Sequence, residues 1–411
     1  MKIAYFVHDV TDPAVGRRIR MLRTAGAEVS VLGFRRSDTV VDALEGAPVF
    51  DLGRTFDARM TDRAARVLQW TFGAGRLRGE IQDAQLFLAR NLETLAIAAS
   101  ARRLAKTPPA LVYECLDIHR LMLAGTAAGR LLRLTERRLL TECSLLITSS
   151  PAFISGYFAP MQGLDRLGLQ TLVVENKLLD LAPPRAFSPR KPGPPWRIGW
   201  FGILRCSRSL NVLTALAARR PDLVEVTIRG RPTSAVFADF EAAIEGVPAL
   251  KFGGPYAPHE IGDLYRGCHF CWSIDWYDEA LNSAMLIPNR LYEAGASRCP
   301  PLALAGVETG RWLARQGLGV RLDDPLHELE AFFETLTPSA YARLEARMAA
   351  ADPDLFLANQ GECARLLSAL TAVLAKPRSV EESVLAPEVL RPSAHRHSLP
   401  QRGSEPAGAA R

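Results

Sequence analysis

The chain is expected to fold as an α/β protein with two Rossmann-like halves, each built on a parallel sheet. Three observations carry that expectation. Short apolar runs alternate with longer amphipathic stretches, the pattern left by βαβ units. A proline-rich stretch breaks the series near its middle, after which the series begins again. At 411 residues the chain also exceeds one ordinary core and suits two domains.

In order along the chain, Ile3, Ala4, Tyr5, Phe6 and Val7 form the first expected strand. A helix over 13–25 follows, with Asp12 as N-cap and Pro13 at the first helical position. Gly26 ends it, and 28–32 is a second strand. Further strands are expected at 111–115, 145–148 and 171–174, with a basic helix over 125–142. Between 181 and 195 the prolines at 183, 184, 189, 192, 194 and 195 suit neither a helix nor a central strand. The second series places strands at 196–201, 223–228, 250–252, 269–274, 301–303 and Val320. Its helices fall over 209–219, 258–266 and 289–296. The domains expected are therefore 1–180 and 197–351, joined by the linker 181–196. A helical pattern over 352–375 is expected to pack back towards the first domain. From 376 to 411 proline, serine, arginine and glycine dominate, and so apolar-poor a tail is expected to stay disordered.

Composition excludes several classes. A hydrophobic content of 48% with 23% charged residues is that of a soluble globular protein. The formal charge of +6 and pI near 9.0 are too modest to imply nucleic-acid binding, and suit an anionic small molecule or an acidic membrane surface equally. No apolar run reaches the length of a membrane span, and the first residues read as a strand rather than a signal peptide. A cytoplasmic location is expected. The seven cysteines are odd in number and scattered, which suits reduced thiols.

Ligands of open α/β sheets sit at the carboxyl ends of the strands. One such end holds Gly199, Gly202 and Arg205, followed by Arg208 and a helix. The glycine admits a ligand to the backbone, the helix start favours a phosphate, and the arginines suit a diphosphate. No GxGxxG and no GxxxxGK[ST] is present there, which removes the main support for dinucleotide or P-loop readings. A second end runs through Pro288, Asn289 and Arg290 to Glu293. Proline before Asn289 marks a helix start, and Glu293 lies one turn in, on the same face as Asn289. A carboxylate there can accept both hydroxyls of a ribose, while free amides at the helix start face phosphate oxygens.

The run Pro288-Asn289-Arg290-Leu291-Tyr292-Glu293, with Gly295 and then Pro300-Pro301-Leu302-Ala303, resembles a signature of GT-B glycosyltransferases. It is most similar to family 4 enzymes of bacterial polysaccharide assembly. Gly202, the strand end Ile228-Arg229-Gly230, and Phe252-Gly253-Gly254-Pro255-Tyr256 with the following Leu264-Tyr265 resemble further parts of that pattern. Cys268 and His269 stand where the family usually has Ala-Asp. Val174-Glu175-Asn176-Lys177 is similar to the turn before the family's linker. The opening residues 2–9 and 12–15 resemble glycosyltransferases of succinoglycan biosynthesis, the ExoL-like group.

The resemblance implies a GT-B fold, two Rossmann-like domains facing across a cleft. It implies metal-independent transfer of a sugar from a nucleotide-diphosphate-sugar, UDP- or GDP-linked, for exopolysaccharide or another surface glycan. The acceptor would be polyprenyl-diphosphate-linked or another glycan, met at the inner face of the cell membrane. Glu293 would bind the ribose, and Gly202, Arg205 and Arg208 the diphosphate. The turn with Pro288, Asn289 and Arg290 would supply amides, the run Gly253 to Tyr256, with Gly254 and Tyr256, would hold the base, and Arg229 and Gly230 would belong to the donor site. One departure stands out: the family's second glutamate, eight positions earlier, is Met285 here, so either Asp275 or Glu279 takes its task or the sugar is held differently. On the acceptor side the candidates for acid–base work are Asp117 and His119, then His8 and Asp9.

Arginines at 54, 59, 63, 66, 76, 78, 130, 133, 137 and 138 make the first half basic, with Trp70 and Phe72 among them. A solvated face is one reading; contact with anionic lipid is the other. Cys268-His269-Phe270-Cys271 lacks a second ligand pair, and no metal site is expected. Two alternatives remain open: a GT-B nucleotide-sugar epimerase, or an inactive GT-B partner in a polysaccharide assembly complex.

Overall fold

The computed structural model describes residues 1–56, 60–181 and 188–375. The first half is an eight-stranded sheet. Its strands are β1 (Lys2–Val7), β2 (Glu28–Arg35), β3 (Ala43–Leu44), β4 (Ala47–Arg54), β5 (Leu86–Arg90), β6 (Ala110–Cys115), β7 (Leu145–Thr148) and β8 (Gln170–Val173). They lie in the order β3-β4-β2-β1-β5-β6-β7-β8, all parallel but for the short antiparallel β3–β4 pair. Period-two alternation assigns the faces. Ala4 and Phe6 enter one core, while Ile3, Tyr5 and Val7 enter the other.

After β9 (Leu178–Leu179) the second half builds a six-stranded, wholly parallel sheet. Its strands are β10 (Trp196–Leu204), β11 (Val224–Pro232), β12 (Leu250–Phe252), β13 (Phe270–Trp272), β14 (Pro301–Leu304) and β15 (Val320–Leu322), ordered β12-β11-β10-β13-β14-β15. Trp196, Ile198 and Trp200 anchor one core with Leu213, Phe270 and Tyr341. Then β16 (Leu357–Ala358) pairs in parallel with β9, and the helix Gln360–Ala375 lays Cys363, Leu366, Leu370 and Val373 against Val15, Ile19 and Leu22. The last described helix thus packs on the first half, and the halves are tied where β9 and β16 meet.

The helix Pro13–Thr24 starts on Asp12, whose side chain accepts from the Ala14 amide. Several elements differ from the sequence expectation. Strand β4 escaped notice because Asp51 and Gly53 interrupt its apolar run. Strand β5 runs directly into the helix Asn91–Arg103, and an apolar stretch of that kind reads equally as the start of the helix. The continuous helix expected from 352 is instead a turn at Pro353–Leu355, the strand β16, and a helix from Gln360. Pairing with β9, a long-range event, decides that break. Residues 188–195 hold no helix or strand; the rest of the expected linker at 182–187, Arg59, and the expected tail lie outside the described residues.

Candidate active site

At the carboxyl ends of β10, β11 and β12 three glycines converge. Gly202 and Gly230 are register partners with φ of 114° and 144°, conformations that side-chain-bearing residues rarely hold. A Cβ on Gly230 would overlap the Gly202 carbonyl oxygen. The Gly230 amide donates to Gly254 O at 2.8 Å, which draws the third strand end alongside. The result is a ledge of backbone. Arg229 donates to Gly254 O and Pro255 O at 3.0 and 2.8 Å, so it braces the ledge's outer loop. Tyr256 is half-buried beside it, edge-on to Phe201 at 6.4 Å between ring centres.

The helix Asn289–Ala296 begins on Pro288 and carries Glu293. Tyr265 Oη reaches towards Glu293 at 3.5 Å. Burial lifts the Glu293 carboxyl above its ordinary range, opposed by Arg290 and by Arg17. Arg17 belongs to the other half, on Pro13–Thr24, and donates to Asn176 Oδ1 at 3.0 Å. Burial, with Arg18 and Arg90 nearby, brings Arg17 down to about 10. The same Glu293 charge raises Tyr256, whose shift is led by burial. Arg17 and Tyr256, from opposite halves, therefore each feel the Glu293 charge.

The arginines after β10 are not isolated cations. Arg205 donates twice to Asp275 Oδ2, at 3.3 and 3.2 Å, and lies over Tyr277. Arg208 donates to Glu279 at 2.9 Å over Trp276. Both carboxylates considered as substitutes for the family's second glutamate are thus paired with arginines. Arg290 reaches Trp272 O at 3.4 Å. Met285 has another occupation: its carbonyl accepts from Ser150 Oγ at 2.6 Å, and its sulfur abuts Gly156, where an added Cβ would come within 2.9 Å. It is a contact between the halves.

Of the four acceptor-side candidates, two are engaged in local structure. Asp9 accepts from the Thr11 amide and hydroxyl at 2.9 and 2.7 Å and pairs with Arg36 at 3.2 Å. His119 caps the short helix Arg120–Leu123, its Nδ1 accepting from the Leu121 amide at 3.2 Å. Asp117 meets solvent, yet the atoms around its carboxyl raise its pKa; Arg205 opposes that and Asp278 adds to it. The neighbouring Ile118 amide donates to Asn282 Oδ1 of the second half at 3.2 Å, which docks this loop on the donor side. His8, at the end of β1, lies 3.4 Å from Asn91.

Below these groups lies a charged cluster absent from the sequence reading. Glu114, with no exposed surface, accepts from Arg18 Nε at 2.6 Å, Arg90 Nε at 2.8 Å and Tyr5 Oη at 2.6 Å. Burial alone would raise its pKa, but Arg90 and Arg18 bring it to about 2. Arg17, Asn91, Asn282 and this cluster come from five separate segments, so no local pattern in the sequence could have nominated them together.

His269 has both ring nitrogens occupied: Nδ1 accepts from the Arg197 amide at 2.9 Å and Nε2 donates to Lys191 O at 3.0 Å. Among the described residues no group of three or more His, Cys, Asp or Glu is placed to hold a metal ion, and no helix is long and apolar enough to cross a membrane. Trp70 is turned inward, its indole donating to Leu52 O at 2.7 Å, whereas Phe72 is 86% exposed.

Two parallel sheets with a groove at their strand ends, closed by a returning C-terminal helix, define the GT-B fold. Solved structures agree. A sucrose-phosphate synthase from Thermosynechococcus elongatus superposes with a TM-score of 0.66 at 12% identity, covering 91% of this chain and 99% of that one. The lipopolysaccharide outer core galactosyltransferase WaaB gives 0.60 at 13% identity, covering 90% and 99%. An E. coli trehalose-6-phosphate structure bound with UDP-2-fluoro glucose gives 0.62 at 10% identity, covering 91% and 99%. No protein-family model matches the chain. Sequence similarity goes further: the chain is 38% identical over 395 residues to the succinoglycan biosynthesis protein ExoL of Rhizobium meliloti strain 1021, covering 94% of this chain and 97% of that protein. The chain belongs to the ExoL family.

Proposed function

We propose that the protein is a glycosyltransferase of exopolysaccharide biosynthesis that takes a sugar from a nucleotide-sugar held by its second half. The observation that carries this reading is the ledge of Gly202, Gly230 and Gly254 beside the helix that bears Glu293. Backbone without side chains admits a diphosphate, the helix start offers unpaired amides, and the carboxylate suits ribose hydroxyls. The relative's name supports the pathway, succinoglycan or a similar exopolysaccharide. UDP and GDP are the donor bases to try first.

In this reading the leaving diphosphate is stabilised by amides and by Arg205 and Arg208, and no metal is needed. Asp117 and His8 face the acceptor, while Asp9 and His119 shape their loops. A polyprenyl-diphosphate acceptor would bring the protein to the inner face of the membrane. Exposed Leu68, Phe72, Leu131 and Leu134 lie among arginines on helices Met60–Phe72 and Ala127–Leu140, which supports contact with anionic lipid there.

A thermal-shift screen against UDP-, GDP- and dTDP-sugars tests the donor side. One family of sugars should raise the melting temperature, by ligand linkage, and that shift should shrink sharply in Glu293→Ala. An undiminished shift in the variant refutes the assigned site. Nucleotide release should require a lipid-linked acceptor, whereas an epimerase would remodel the donor alone.

A further inference from the structure

At the carboxyl ends of the neighbouring strands β1 and β5, His8 and Asn91 stand side by side, with Asn91 Nδ2 3.4 Å from His8 Nδ1. Asn91 is unusual in two respects. Its backbone is left-handed, φ 68°, at the first residue of its helix, where glycine would be the least strained choice and asparagine the next. Its side-chain oxygen is buried without a hydrogen-bond partner among the described residues, an expensive condition for a polar atom. The nitrogen–nitrogen approach is itself too long for a good hydrogen bond.

One rearrangement gives the oxygen a partner. Rotating the amide by half a turn brings Oδ1 against the ring, where it accepts Nδ1–H. A neutral imidazole protonated on Nδ1 leaves Nε2 as a bare acceptor. Neutrality is favoured, since burial lowers the His8 pKa. The charged groups facing the ring are mixed: Glu93 and Asp12 raise that pKa, Arg90 and Arg36 lower it.

We propose that Asn91 is a positioning residue that holds His8 in the Nδ1–H tautomer, so that Nε2 accepts the hydrogen bond of the incoming acceptor hydroxyl. This rests on reading the first half as the acceptor side. It also explains why a residue less suited than glycine occupies a left-handed position: the amide is needed there.

Nitrogen-15 NMR of the imidazoles in the full chain tests the pairing without any substrate, with His8 assigned by the signals lost in His8→Gln. The wild type should show protonated Nδ1 and bare Nε2 above neutral pH. Asn91→Gly keeps the backbone conformation and removes the amide. It should fold with an unchanged or higher melting temperature, lose the Nδ1–H preference, and lower kcat by about tenfold or more. Asn91→Asp offers a carboxylate to the same N–H. It should restore the tautomer and, by raising the His8 pKa, move the acidic limb of the kcat profile to higher pH. A wild-type ring protonated on Nε2, or a tautomer indifferent to Asn91→Gly, overturns the proposal. Should the tautomer be as expected while His8→Gln keeps full turnover, the acceptor-side role falls and the pairing alone stands.

Discussion

The two halves make their sides of the groove from different materials. In the second half the ledge is backbone: Gly202, Gly230 and Gly254 bring three strand ends together with no side chain between them. In the first half the equivalent strand ends are underpinned by side chains, with Glu114 gripped by Tyr5, Arg18 and Arg90 out of contact with water. A surface made of amides tolerates little change in residue type but demands no long-range pairing. A surface standing on a buried ion cluster demands that four segments arrive together.

The largest effect should come from breaking that cluster. Glu114→Gln leaves Arg18 and Arg90 buried beside a neutral amide, and urea unfolding should report a loss of about 3–5 kcal/mol. The pH dependence has a definite sign. Because its folded pKa is near 2 against an ordinary 4.5, Glu114 stabilises fully at neutral pH, and its contribution drains away as pH falls from about 4.5 towards 2.

A second buried carboxylate works in the opposite sense. Glu136 accepts from Tyr113 at 2.8 Å, Tyr157 at 2.6 Å and Gln162 at 2.5 Å, with no salt bridge to a cation among the described residues, and burial raises it to about 7. Stability should therefore fall as pH rises from about 4.5 through 7, by about 3 kcal/mol from this group. Glu136→Gln should abolish that slope, since the titrating carboxyl is gone, and its amide can donate to Gln162 Oε1, which has no partner among the described residues. Chemical unfolding at several pH values, wild type against variant, measures the difference; equal slopes would show that Glu136 is ionised throughout.

On the backbone-built side the expected changes are in binding. Glu293→Ala should weaken the donor by about 1.5–3 kcal/mol, roughly tenfold to hundredfold, by calorimetry, because hydrogen bonds to a charged acceptor are lost. Its melting temperature without ligand should not fall, because burial disfavours the Glu293 carboxylate in the folded protein. The smallest effect belongs to the contact between the halves. Ser150→Ala removes both the bond to Met285 O and the capping bond from the Ala152 amide, and should cost about 1–2 kcal/mol of stability. A larger loss would mean that this contact holds the halves closed.

How much was legible follows the same division. The helix Asn289–Ala296 and the strand Leu145–Thr148 match the sequence reading to the residue, since Pro288 opens the one and Ser144 and Ser149-Ser150-Pro151 bound the other. Of the glycine ledge, Gly202 was legible from its place at a strand end, and Gly230 and Gly254 from the family resemblance. The acceptor side was legible only as strand ends: Asp9 and His119 are the polar types that chemistry calls for, yet each is committed to its own loop.

By itself the sequence determined two βα series, the carboxylate on its helix, and the glycines that let strands end in open backbone. Those are local matters of periodicity and conformational freedom. Tertiary structure alone decided that Met285 would rest on Gly156, that Arg17 would face Glu293, and that Asn91 would leave an oxygen unpartnered beside His8. Each of these joins residues distant along the chain, and burial and hydrogen-bond geometry, which set their chemistry, exist only once the segments meet.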